Sequence, residues 1–427
     1  MRILFTPAPF KAHLYVQVPL AWALRTAGHD VRVAASPDLA EDIARTGLVG
    51  VSVGQPVHLD RQMAGAEPPR PLVDPTARPE PKSVQTDFGR DDPHGELESN
   101  VMGWKTLFNP PSAFDDLVDF AQDWRPDLVV SDTFVFTGAV AARVSGAAHA
   151  RMLFGADGLA QLRSACRAHG GPTAERQDPI RDWLHPILDR FGHGFDEEVV
   201  IGQWTVFPMP SWIWRPAGVN YLPMRHLPFN GPARTPEWLR EKPRRPRVCM
   251  TFGLSHRDGG FGVTASAQEL FAAVADLDVE VVATFNNKQL ETVTEVPDNV
   301  RLVDFVPLNL LLPSCSAVVH SGGAGTFAAA LENGVPQLII PNVYWSEKWW
   351  GPVVMANGVE SRGAGVYVSD ADQLTADGLR KHLVRVMEDP SYADNAAQLR
   401  REVTGMPTPN DVVPLLERMT VAHRPAR

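Results

Sequence analysis

Three cysteines occur in the 427-residue chain, Cys166, Cys249 and Cys315, and no CxxC pair is among them. An odd, scattered set makes neither a disulfide framework nor a cysteine zinc site, and it fits a reducing, cytoplasmic setting. Excess positive charge is missing too. Forty Lys and Arg face fifty Asp and Glu, a net charge of −10, whereas nucleic-acid binders show a basic footprint. The most basic run, Arg240–Arg247, is interrupted by prolines and leads into an apolar strand, so it reads as a solvated connector. No run of ~18 apolar residues occurs, and no membrane span is expected. Pro7, Pro9, Lys11 and His13 break the N-terminal apolar run before a signal peptide could form. Glycine is absent from the first strand-to-helix turn, TPAPFKAH, which excludes a nicotinamide fingerprint there.

What is present is an alternation of short apolar runs and amphipathic stretches, the pattern of parallel sheets with helices on their faces. Strands are predicted at 2–6, 31–35 and 49–53, with helices at Leu14–Ala27 and Leu39–Thr46 between them. Pro19 sets the start of the regular first helix near itself. A Pro- and charge-rich stretch from Pro56 to Gly95 reads as a surface loop able to fold over a substrate. Strands at 127–131 and 148–153 follow, then a helical region over 160–205 and a Pro/Trp-rich linker, FPMPSWIWRPAG, at 207–218. A second series has strands at 247–252, 280–284, 300–305, 317–320 and 337–340. The prediction is an α/β chain of two doubly wound Rossmann-like domains facing across a cleft. The first domain would span residues 1–215 and the second 216–405, with a C-terminal helix in 406–427 packing back on the first domain.

The strongest local motif is His320-Ser321-Gly322-Gly323-Ala324-Gly325-Thr326, between an apolar strand and a helix. Glycines let a ligand approach the backbone, and the N–H groups of a helix N-terminus bind anions. Thr326 is expected to cap the helix and His320 to donate to a phosphate oxygen. By itself the motif also fits a plain Gly-rich turn, and no GK[ST] follows to make it a Walker loop. His13 lies just past the first strand, where an imidazole can take a proton from a hydroxyl. Asp132 ends another strand of the same half and can orient that ring. Asp276 and Asp278 form a DxD, but their place between a helix and a strand reads as solvated connector rather than metal site.

These residues sit in longer stretches that resemble the family 1 antibiotic-tailoring glycosyltransferases of GT-B type, above all those attaching deoxysugars to polyketides. The resemblance covers nearly the whole chain. It includes VPLAWALRTAGHDVRVAASP (18–37), WRPDLVVSD (124–132), FDEEVVIGQW (195–204), VPDNVRLVDFVPLNLLLPSC (296–315), HSGGAGT (320–326), NGVPQLIIP (333–341) and MPTPNDVVPLLERM (406–419). It implies that His13 is the general base and Asp132 its partner. Phe305 and Val306 would meet the nucleotide base, and Gly253 and Ser255 the phosphates, together with His320, Gly322, Gly323, Ala324, Gly325 and Thr326. The implied donor is a thymidine-diphosphate (TDP) deoxysugar, often an aminosugar, transferred with inversion and without metal or other cofactor to an apolar polyketide aglycone. An auxiliary protein resembling a haem monooxygenase, docking on the N-terminal half, and a homodimer are implied as partners.

The chain departs from that family at three places. Ser321 stands where relatives carry a second histidine, and Asp132-Thr133 replaces a frequent Glu-Pro. The stretch VYWSEKWWGP (343–352) lacks the usual sugar-binding aspartate, leaving Ser346, Glu347 and Lys348 as the polar candidates. The alternative readings are a carbon-linking transferase on an aromatic polyketide and a sugar-nucleotide epimerase.

Overall fold

The computed structural model describes residues 1–58, 92–170, 178–253, 265–291, 293–341 and 351–423. The first half contributes seven strands: β1 (Arg2–Thr6), β2 (Asp30–Ala35), β3 (Val49–Ser52), β4 (Leu128–Asp132), β5 (Ala148–Met152), β6 (Trp204–Phe207) and β7 (Tyr221–Pro223). They lie in the order β3-β2-β1-β4-β5-β6-β7, and every pairing is parallel. Parallel strands are buried on both faces, which is why they read as unbroken apolar runs. Leu4 and Val129 enter one core; their neighbours Ile3, Phe5, Leu128 and Val130 enter the other.

The second half repeats the plan with β8 (Arg247–Thr251), β9 (Glu280–Thr284), β10 (Val300–Val303), β11 (Ala317–His320), β12 (Gln337–Ile339) and β13 (Gly365–Tyr367). Their order is β10-β9-β8-β11-β12-β13, again parallel throughout. In each sheet the chain leaves its first strand toward one edge and later returns to build the other. The switch points therefore fall between β1 and β4 and between β8 and β11. The loops after those strands diverge and open a crevice beyond their carboxyl ends, where ligands bind in such sheets.

Two features depart from the sequence reading. The first helix starts at Lys11, and Pro19 lies inside it. An interior proline costs about 3 kcal/mol, and burial of Leu14, Val18, Leu20 and Leu24 against the sheet offsets it. The stretch 207–218 is not the passage between halves. It joins β6 to β7 within the first sheet, which reaches past residue 215. Trp212 and Ile213 instead pack on the helix Pro352–Ser361, where a Cβ at Gly358 would lie 2.8 Å from the Trp212 ring. The halves thus share an apolar core. Leu153, Phe207, Met209 and Ile213 from the first meet Phe327, Leu331, Val353 and Val359 from the second. The Arg225–Glu332 ion pair ties the connector after β7 to the second half. The C-terminal helix Pro409–His423 buries Val412, Val413 and Leu416 in a core of the first half, beside the helix Lys11–Thr26. Among the described residues no helix is long and apolar enough to cross a membrane.

Candidate active site

At the first switch point β1 ends at Thr6, and the helix Lys11–Thr26 carries His13 in its first turn. Across the crevice, Asp132 is the last residue of β4. His13 Nδ1 lies 2.8 Å from Asp132 Oδ2, and the aspartate side chain is fully buried. The other carboxylate oxygen, Oδ1, accepts the Phe134 N–H at 3.1 Å. An ionised carboxylate only accepts, so it selects the tautomer in which Nδ1–H donates to Asp132 and Nε2 carries the lone pair. Aromatic rings surround the imidazole: Phe154 at 4.2 Å, Phe10 at 5.6 Å and Phe134 at 6.4 Å between centroids. Phe108 and Trp104 extend that wall by stacking on Phe134. This apolar lining was not read residue by residue from the sequence. Its signal was position, because Phe10, Phe134 and Phe154 each follow the carboxyl end of a strand.

At the second switch point, Gly253 follows β8 with φ +77°, and His320 ends β11. The helix Ala324–Asn333 begins after Gly323, which serves as N-cap without a side-chain hydrogen bond. Its first intrahelical bond runs from the Phe327 N–H to the Gly323 carbonyl. The N–H groups of Ala324, Gly325 and Thr326 thus lie ahead of the helical ladder and point out of its end. Added Cβ atoms at Gly323 and Gly325 would meet no described residue within 4 Å. Gly322 differs. Its φ is +81°, and a Cβ there would lie 2.7 Å from Pro352 Cβ, so glycine is required by packing. The first half reaches the helix end through the loop after β5, where a Cβ on Gly155 would sit 3.5 Å from Ala324 Cβ.

The fold agrees with known proteins. The N-terminal domain model of the erythromycin biosynthesis protein CIII-like family matches residues 22–253, and its C-terminal domain model matches residues 268–419. The chain belongs to this family of antibiotic-tailoring, deoxysugar-transferring GT-B glycosyltransferases. It is 48% identical to the aclacinomycin-T 2-deoxy-L-fucose transferase of Streptomyces galilaeus, covering 99% of this chain and 97% of that one. To the 10-deoxymethynolide desosaminyltransferase of Streptomyces venezuelae it is 43% identical, over 99% and 98%. Among solved structures, the glycosyltransferase VinC in complex with dTDP superposes with a TM-score of 0.84 at 38% identity, over 99% of this chain and 100% of that one.

Within this GT-B framework several expected site residues take different parts from those read in the sequence. His320 does not offer an N–H to a ligand. Its Nε2 donates to Gln337 Oε1 at 2.9 Å, and its Nδ1 accepts the Gly322 N–H at 3.1 Å. The ring is buried, which holds its pKa down at about 4 and keeps it neutral. It braces the turn from beneath. Thr326 is not the cap, because the helix starts two residues earlier; it sits buried in the first turn. Ser321 is likewise buried. Phe305 stays 38% exposed at the sheet edge while Val306 is 2% exposed. Val306 therefore points into the core of its half and has only its peptide group to offer a nucleotide base. Ser255, Ser346, Glu347 and Lys348 lie outside the described residues, as does most of the stretch 56–95. The DxD carboxylates face solvent, Asp278 paired with Arg245 at 3.0 Å and Asp276 near Arg380 at 3.9 Å.

Proposed function

We propose that the chain moves a deoxysugar from a thymidine-diphosphate donor to a hydroxyl of a polyketide aglycone, with inversion at the anomeric carbon and without a metal. The observation that carries this reading is the His13–Asp132 dyad at one switch point with an uncapped helix end at the other. His13 Nε2 takes the proton of the acceptor hydroxyl as its oxygen forms the new bond to the anomeric carbon. The bond to the diphosphate breaks on the opposite face, which inverts the centre. Charge growing on the leaving group is met by the N–H groups of Ala324, Gly325 and Thr326 and by the positive end of the helix dipole. Those donors supply the electrostatic work for which a divalent ion would otherwise serve. The apolar wall of Phe10, Phe108 and Phe134 suits a large apolar aglycone. The dTDP held in the VinC complex supports the choice of nucleotide. Sequence resemblance favours an aminosugar, while the names of two relatives divide between 2-deoxy-L-fucose and desosamine transfer.

The test is incubation of the EDTA-treated protein with TDP-deoxysugars, amino and neutral, alone and with macrolactone or polycyclic aromatic acceptors. Acceptor-dependent release of TDP and a product of inverted anomeric configuration are expected. Donor turnover without acceptor would favour the epimerase, and a product resistant to acid hydrolysis the carbon-linked alternative. Adding a haem-monooxygenase-like partner and measuring the sedimentation coefficient test the auxiliary protein and the homodimer.

A further inference from the structure

The base and the helix end belong to different halves of the chain, so something must fix the distance and angle between them. One five-residue segment touches both. It begins after β5 at Leu153, whose N–H is bonded to the Val206 carbonyl at 3.0 Å. Phe154 follows, its ring 4.2 Å from the His13 imidazole and 5.6 Å from Phe134. Gly155 comes next, against Ala324 of the helix end. Ala156 packs into the core shared by the two halves. Asp157 closes the segment and opens the helix Gly158–Gly170 by accepting the Ala160 N–H at 3.1 Å.

Its far end is tied back to the strand it leaves by one buried polar knot. Arg151, on β5, grips Asp157 with both terminal nitrogens, Nη1 to Oδ1 at 3.0 Å and Nη2 to Oδ2. It also donates from Nε and Nη2 to Thr205 Oγ1 at 3.2 and 3.1 Å. The Tyr221 hydroxyl donates to Asp157 Oδ2 at 2.7 Å. Burial and the adjacent carboxylate raise the Tyr221 pKa, so it remains a donor. Arg151 is 1% exposed and Asp157 0%. A buried ion pair is poor value for stability alone, but with all its partners in place it admits one geometry.

We propose that Phe154 is a positioning residue for the base. Its ring, held by the Arg151–Asp157–Tyr221 knot, fixes the rotation of the His13 imidazole while Gly155 seats the segment on the helix end of the second half. This rests on the transfer reading above, in which His13 is the base. A flat ring is what the role requires; apolar volume alone does not fill it.

The test compares Phe154→Leu, Phe154→Tyr, Tyr221→Phe and His13→Ala in the full-length protein, measuring thermal midpoint, TDP affinity, kcat and acceptor KM. Phe154→Leu is expected to lower kcat about 10- to 100-fold, since small misplacements of a catalytic group cost that much, with TDP affinity and thermal midpoint close to wild type. Phe154→Tyr should restore most of that loss, and Tyr221→Phe should lower kcat about 3- to 10-fold by loosening the knot. A Phe154→Leu protein with wild-type kcat, or one altered only in acceptor KM, overturns the proposal and assigns the ring to aglycone contact. Loss of kcat, TDP affinity and thermal midpoint together would also overturn it, in favour of a packing role. His13→Ala separates the levels. If it turns over at the wild-type rate, the base assignment itself fails, whatever Phe154 does.

Discussion

Replacing Gly325 by valine tests the helix end as the diphosphate site with little disturbance of the protein. A Cβ at this position meets no described residue within 4 Å, and the residue is the second of the helix Ala324–Asn333, with no left-handed φ to relieve. Valine is a slightly better helix former than glycine, by a few tenths of a kcal/mol, so folding stability should hold. The two γ-methyl groups would occupy the space in front of the Ala324, Gly325 and Thr326 amides. A hydrogen bond to a charged group contributes about 1.5–3 kcal/mol, and the helix dipole about 0.3–1 kcal/mol more. Displacing a diphosphate from one amide and moving it off the helix axis should therefore cost about 2–4 kcal/mol. That is about a 30- to 1000-fold rise in the Kd for TDP. Calorimetric titration with TDP, beside thermal melts, reads both quantities. A valine variant that melts like wild type and binds TDP within threefold of it would refute the assignment. Gly322→Ala is the contrasting control. Its Cβ must enter the space of Pro352 at φ +81°, so it should lower the melting temperature as well as the affinity.

Three other outcomes follow from the geometry. Asp132→Asn leaves one acceptor oxygen for two donors, the Phe134 N–H and His13 Nδ1–H. If the amide oxygen serves the backbone, its NH2 faces Nδ1 and forces the proton onto Nε2, so kcat should fall about 10²- to 10⁴-fold with unchanged TDP affinity; a loss below threefold would count against the dyad. Asp157→Asn leaves Arg151 buried without its counter-charge and should cost about 3–5 kcal/mol in urea unfolding, whereas a change below about 1 kcal/mol would show the pair is dispensable. Burial holds His149 and His320 neutral in the fold, each with its pKa lowered from 6.5 to about 4. The unfolded chain protonates first as pH falls, so stability is present above about pH 6.5 and declines toward pH 4, by up to ~1.4 kcal/mol per pH unit for each ring. Equal urea midpoints at pH 7 and pH 5 would contradict this.

The two-sheet plan was legible because parallel strands buried on both faces write unbroken apolar runs such as LVVSD and AVVH, separated by helices with glycine stops. Strand β6 was hidden. Its four residues, WTVF, are separated from the helical turn Glu198–Ile201 by only Gly202 and Gln203, and so short an apolar run merges with the helical reading of 160–205. The three-residue edge strand β7 was hidden by its proline, which only an edge tolerates. His13 and Asp132 were legible as a pair because each sits just beyond a strand of the same half. The part played by His320 was not. Whether its ring faces a ligand or the interior is decided by Gln337, on a neighbouring strand, and nothing within the motif HSGGAGT encodes that partner. Thr326 resembles a cap in the sequence, yet the helix starts at Ala324, because small residues carry little signal for where a first turn begins.

That His320 is neutral and turned inward changes what the leaving-group site is made of. With its ring removed from the ligand side, the described residues of the loop offer backbone amides and a helix dipole, none of which titrates. The catalytic field at that end should therefore be the same at every pH at which the protein is folded, and the pH dependence of kcat/KM should come from the acceptor side, where His13 must be unprotonated to take the hydroxyl proton. The two ends can then be separated by kinetics. Gly325→Val should lower the plateau of kcat/KM without moving the acid limb, because it weakens the amide field and leaves the dyad untouched. Asp132→Asn should both lower the plateau and move the limb, because it changes the group that faces the titrating ring. A limb displaced by Gly325→Val would mean that a titrating group works at the diphosphate end after all, and the division of labour between the two switch points would have to be redrawn.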